Sequence, residues 1–160
     1  MTENRSQHAL IVLRQILRAT ENRARKLSRE SGLTASQLLL LQTLEDEGEC
    51  TAGTIAARLG ITQATTTSLV QKLEAKGLIT RKRGDTDRRK VWLTLSDTGR
   101  QKLADAPDSL QDLFSRRFEK LEDWEQMMLM ANLERVASML DAEEIDASPV
   151  LDIGALDREA

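Results

Sequence analysis

The sequence predicts a mainly α fold with a small β-hairpin wing, and three observations carry that prediction. Stretches free of Gly and Pro repeat apolar residues at helical spacing near both ends of the chain. Two shorter helical stretches in the middle meet at a turn containing Gly60. Directly after them, "RKRGDTDRRKVWLTL" (81–95) sets six cations around two aspartates and a glycine, then alternates apolar and polar residues as a strand does.

The first helix is expected over 8–31, "HALIVLRQILRATENRARKLSRES", with its stripe at Leu10, Leu13, Leu17 and Ala24 and Gly32 ending it. Ile11, Val12 and Ile16 widen the stripe beyond one face, the pattern of a helix that meets more than one partner. "TASQLLLLQTLEDEG" gives a second helix, with Thr34 as its N-cap and Gly48 closing it. Thr51 or Thr54 caps a short third helix carrying Ile55, Ala56 and Leu59. After Gly60, Thr62 caps a fourth that runs to about Lys76, before Gly77. Leu78 and Ile79 begin a strand, the basic turn follows, and Val91, Leu93 and Leu95 line one face of the return strand. From Ser96 a capped helix is expected, with an irregularity at Pro107, and "LEDWEQMMLMANLERVASMLD" is a last strong helix. The acidic tail from Ala142 reads as mostly irregular. The implied division is a helical region made of 1–33 and 97–141, a central domain over 34–96, and a tail over 142–160.

Composition narrows the function. Two Trp, two Phe and no Tyr leave the core to aliphatic side chains, which suits helices. No apolar run approaches a membrane span, and the polar start "MTENRSQ" is no signal peptide. A single cysteine, Cys50, fits a reducing cytoplasm. The net charge of −3 hides a division: residues 50–100 hold ten Lys or Arg against four Asp or Glu, and residues 101–160 hold six against fifteen. That asymmetry points to a basic surface in the middle of an acidic chain. One histidine, no Gly-rich phosphate loop and no nucleophile signature speak against catalysis and against a metal or cofactor. Met127, Met128, Met130 and Met139 read as core or interface rather than an effector pocket, and Cys50 as packing rather than a redox sensor.

A hairpin behind a helix-turn-helix is a wing, whose basic tip lies beside a DNA duplex. With Thr66, Leu69, Val70 and Leu73 buried, the fourth helix offers Ala64, Ser68, Gln71 and Ala75 on its opposite face, flanked by Thr67 and Lys72, with Gln63 and Thr65 in its first turn. Gln can bond adenine bidentately, and Thr or Ala methyls can meet a thymine methyl, so this helix is expected in the major groove. Arg83, Arg88, Arg89 and Lys90 are expected on phosphate or in the minor groove, with Asp87 orienting Arg89 or Arg88. The alternative is a winged-helix module that docks another protein, which would have no need of six cations at one turn.

At these residues the chain resembles the MarR-type (multiple antibiotic resistance regulator) winged helix-turn-helix repressors. The match is carried by "LTASQLLLLQTL", by "TAGTIAARLGITQATTTSLVQKLEAKGLITRKRGDTDRRKVWLTLSDTG" and by the flanking helices. The resemblance implies a cytoplasmic homodimeric repressor that binds a palindromic operator and is released by a small-molecule effector. It places the family's wing aspartate and arginine at Asp87 and Arg89, its recognition helix at 63–76, and its dimerisation region on the first and last two helices. Leu10, Leu13, Leu17, Phe114, Phe118, Leu133 and Met139 are the dimerisation residues so implied, and Trp92 borders the family's ligand crevice. The tail "MLDAEEIDASPVLDIG" resembles a branch regulating compatible-solute operons such as those for ectoine; the other reading of it is an ordinary acidic end.

Overall fold

The computed structural model describes residues 4–84 and 89–145. Among the described residues the elements follow in the order α1 (Arg5–Ser31), α2 (Ala35–Glu47), β1 (Glu49–Thr51), α3 (Ala52–Leu59), α4 (Gln63–Ala75), β2 (Ile79–Arg83), β3 (Val91–Leu95), α5 (Asp97–Asp105), α6 (Leu110–Phe118) and α7 (Asp123–Met139). This is the expected mainly α architecture. The chain forms two compact units, one running to Pro107 and the other spanning Asp108–Ala147.

The first unit is built around α2. Leu38, Leu40, Leu41 and Leu44 are buried on several sides of this helix, and Leu33, Ile55, Leu69, Leu73 and Leu93 close around them. No aromatic ring takes part in that buried set, in keeping with the scarcity of aromatics in the sequence. Local chemistry delimits the helices. Thr34 and Gln37 form a reciprocal capping box, in which each side chain accepts from the other's backbone N–H at 3.2 Å. Of the two threonines eligible to cap α3, Thr51 does so, accepting from the Thr54 N–H at 3.2 Å. Thr62 caps α4 in the same way, and Gly60 supplies the left-handed backbone (φ 65) that turns α3 into it. The first helix begins earlier than the sequence indicates, because Asn4 caps it through the Gln7 N–H.

Two features depart from the sequence expectation. The β2–β3 hairpin is extended by β1 into a three-stranded antiparallel sheet in the order β1-β3-β2, with β3 in the centre. Cys50 pairs with Leu93 on one side of β3, and Arg81 pairs with Leu93 on the other. The irregularity at Pro107 is a complete break between α5 and α6. Ala106 is held extended (φ −69, ψ 137), as a residue before proline prefers, and a new capping box of Ser109 and Asp112 starts α6.

The second unit consists of α6 and α7. Neither helix buries a single residue, while Phe114, Trp124, Met127, Leu133 and Met139 are all at least half exposed. Phe114 and Phe118 stack with ring centroids 5.5 Å apart, and Arg116 pairs with Asp108 at 2.6 Å.

Candidate nucleic-acid interface

The fourth helix is the centre of the site. Its buried face is Thr66, Leu69, Val70 and Leu73, each 2% exposed or less, which is the predicted stripe. That anchoring leaves Gln63, Ala64, Thr67, Ser68 and Gln71 exposed and Thr65 and Lys72 half-buried. The hydroxyls are not equivalent. Thr67 Oγ1 donates to the Gln63 carbonyl at 2.8 Å, so it meets a ligand as an acceptor and a methyl group rather than as a donor. Thr65 Oγ1 is bound to the capping Thr62 hydroxyl at 2.9 Å. The Gln71 side chain makes no hydrogen bond among the described residues, so its amide keeps both donor and acceptor for a base edge. The Gln63 amide nitrogen lies 3.3 Å from where a Cβ on Gly53 would stand, so a side chain there would crowd the first turn of α4.

The wing rises from the end of α4. Thr80 and Thr94 share a 2.7 Å hydroxyl bond near its base, and the Gly84 N–H donates to the Lys90 carbonyl at 2.9 Å where the ladder ends. Arg81, Lys82, Arg83, Arg89 and Lys90 are exposed. Asp87 and Arg88, on which the sequence places wing orientation and a DNA contact, lie outside the described residues.

Two of the exposed cations are engaged within the fold. Arg81 forms a 3.0 Å ion pair with Glu74 of α4, tying the first wing strand to that helix. Lys76 donates to the Gly32 carbonyl at 2.8 Å and to Gln37 Oε1 at 3.3 Å. Neither contact was legible in the sequence, where both residues read as cations of the basic surface near the duplex.

Cys50 lies on β1, 3% exposed. Burial, and then the nearby Glu47 carboxylate, raise its thiol above the ordinary cysteine value, while Arg58 opposes them. A protonated, enclosed thiol is the packing residue that the sequence indicates. Trp92 is half-buried, opposite Thr51 on one neighbouring strand and Lys82 on the other. Among the described residues no group of three or more His, Cys, Asp or Glu could hold a metal ion, and no helix is long and apolar enough to cross a membrane.

Comparison with known proteins places this geometry. The MarR family model matches residues 31–90, the stretch from the end of α1 to the wing. The uncharacterized HTH-type transcriptional regulator YwhA of Bacillus subtilis (strain 168) is 32% identical over 98 residues, covering 61% of this chain and 70% of that protein. The crystal structure of a MepR-like protein complexed with pseudoligands superposes with a TM-score of 0.60 at 23% identity, over 88% of this chain and 97% of the other. The structure of Bordetella bronchiseptica BpsR, described in terms of regulation of its DNA binding by 6-hydroxynicotinic acid, superposes with a TM-score of 0.55 at 26% identity, over 79% and 92% of the respective chains.

Proposed function

The chain belongs to the MarR family of DNA-binding transcriptional regulators and is not an enzyme; from that premise we propose that it is a cytoplasmic, homodimeric repressor of a palindromic operator, released by a small-molecule effector. The observation that carries this reading is the division of α4. One face is locked into the core by four buried residues, and the opposite face offers an unengaged Gln71 beside small and hydroxylated side chains. A basic wing stands next to it. The BpsR comparison supports regulation by a small molecule, and the tail "MLDAEEIDASPVLDIG" supports compatible-solute genes as the target, although residues 146–160 lie outside those described.

DNA readout divides between the two parts. Gln71→Ala is expected to cost about 1–3 kcal/mol on the cognate operator and little on random duplex, because a lost base contact removes discrimination. Arg89→Ala is expected to weaken both duplexes more evenly and to lower the salt slope, because a phosphate contact carries no sequence information. Titration of both variants against cognate and random DNA decides. Equal losses on both duplexes for Gln71→Ala, with no change for Arg89→Ala, would mean that the domain sits on DNA in another orientation.

The dimer is supported by the apolar surface. Leu10, Ile11, Leu17, Phe114, Trp124, Leu133 and Met139 are each 47% or more exposed in the single chain, more than soluble monomers ordinarily leave to water. Of the remaining residues assigned to that interface, Leu13 and Phe118 are half-buried. Two helices that bury nothing of their own need a partner to fold against, and a second copy of α1, α6 and α7 supplies one. Sedimentation at micromolar concentration is expected to return twice the 17.9 kDa of the chain; a monomer throughout the range would rule the dimer out.

A further inference from the structure

The C-terminal end of α4 is held by the buried Leu73, by the Glu74–Arg81 ion pair and by Lys76, and Lys76 is the one of these that reaches the α1–α2 junction. Lys76 is the residue on which that helix ends, and its ammonium reaches away along the chain order to two acceptors. The first is the carbonyl of Gly32, the left-handed residue that terminates α1. The second is Oε1 of Gln37, a buried side chain whose same oxygen already accepts from the Thr34 N–H in the capping box of α2. One cation therefore meets the end of α1, the start of α2 and the end of α4. Its position beyond the last turn of α1 is electrostatically favourable, since the carbonyl end of a helix carries partial negative charge.

Lysines on the DNA-facing domain of a regulator ordinarily contact phosphate. This one is differently placed. Lys76 remains exposed along its side chain, and the partial burial of its ammonium, followed by Lys102 and Lys72, pushes it below the ordinary lysine value. Both acceptors lie far away in sequence, so the contact constrains tertiary geometry rather than the helix itself.

We infer that Lys76 is a positioning residue, a strut that fixes the angle of the recognition helix against the α1–α2 junction and so sets the spacing at which two subunits present Gln71 to an operator. The inference rests on the proposed homodimer, because α1 carries the exposed apolar residues assigned to that interface. It assigns Lys76 no contact with DNA.

Lys76→Met keeps most of the aliphatic stem and removes the donors. Its affinity for the native-spaced operator is expected to fall about tenfold, a typical size for coupling between distant elements. Random-duplex affinity and the salt slope are expected to stay as in the natural protein. Operators with half-sites one base pair closer or further apart are expected to be discriminated less sharply, which loss of a phosphate contact would not cause. If cognate and random affinities fall together and the salt slope drops by about 1.8 for two lost contacts, Lys76 is a phosphate ligand and the inference is overturned. Unchanged binding to all duplexes overturns it as well. Should the Met variant not fold, Lys76→Gln, too short to span both acceptors, is subject to the same outcomes. Sedimentation of the natural protein separates the two readings: if it is a monomer the dimer fails, and the strut is then judged by whether Lys76→Met loses affinity for a single half-site but not for random DNA.

Discussion

Operator affinity is expected to fall by about 10³ to 10⁵ between 50 and 200 mM salt, for on the order of six to ten phosphate contacts per dimer. That steepness is unusual to expect of a chain with a net charge of −3. It follows because counterion release depends on the cations at the duplex rather than on the whole molecule. The structure refines which cations those are. Lys82, Arg83, Arg89 and Lys90 are exposed on the wing, and Lys72 is half-buried on α4. Lys76 and Arg81 are each engaged by partners within the fold and are expected to add little to the slope. Binding titrations at four or five salt concentrations measure the slope directly, and a flat profile would contradict the docking of this face on DNA.

Gly99→Ala is expected to destabilise the first unit by about 1–3 kcal/mol. Helix propensity alone predicts the opposite sign, because alanine in a helix is favoured over glycine by about 1 kcal/mol. Packing decides the matter. A Cβ at Gly99 would overlap the Leu78 carbonyl oxygen outright and stand 2.9 Å from its carbon, and these are backbone atoms that cannot rotate aside. The same corner is closed by hydrogen bonds that any displacement would stretch. Ser96 N–H donates to the Leu78 carbonyl at 3.1 Å, Ser96 Oγ donates to the Gly77 carbonyl at 2.7 Å, and the Gly99 N–H donates to Ser96 Oγ at 2.9 Å. The start of α5 is thereby pinned to the start of β2, at the root of the wing. Thermal melts should register a loss of roughly 4–8 °C per kcal/mol for a unit of this size. An Ala variant that melts at or above the natural temperature would show that the corner relaxes freely.

The residue pattern alone determined which face of α4 is buried. Thr66, Leu69, Val70 and Leu73 recur at a period near 3.6, and a helix with that stripe has one way to sit on a core. The caps at Thr34 and Thr62 were legible for the same reason: a cap is a contact between residues three apart. The return strand of the wing was legible because its alternation is local. The third strand was not. Glu49–Thr51 is too short to show a period, and it becomes a strand only because the edge of β3 is available to pair with it. The break at Pro107 was visible as an irregularity, but whether a proline kinks a helix or divides it depends on what can cap the next segment, and Ser109 with Asp112 does so. Tertiary structure alone decided how the cations are used. In the sequence Lys76 and Arg81 are indistinguishable from the wing residues that follow them. A charged group at the end of a long flexible stem takes whatever partner the fold brings within reach, and the acceptor at Gly32 lies 44 residues away from Lys76.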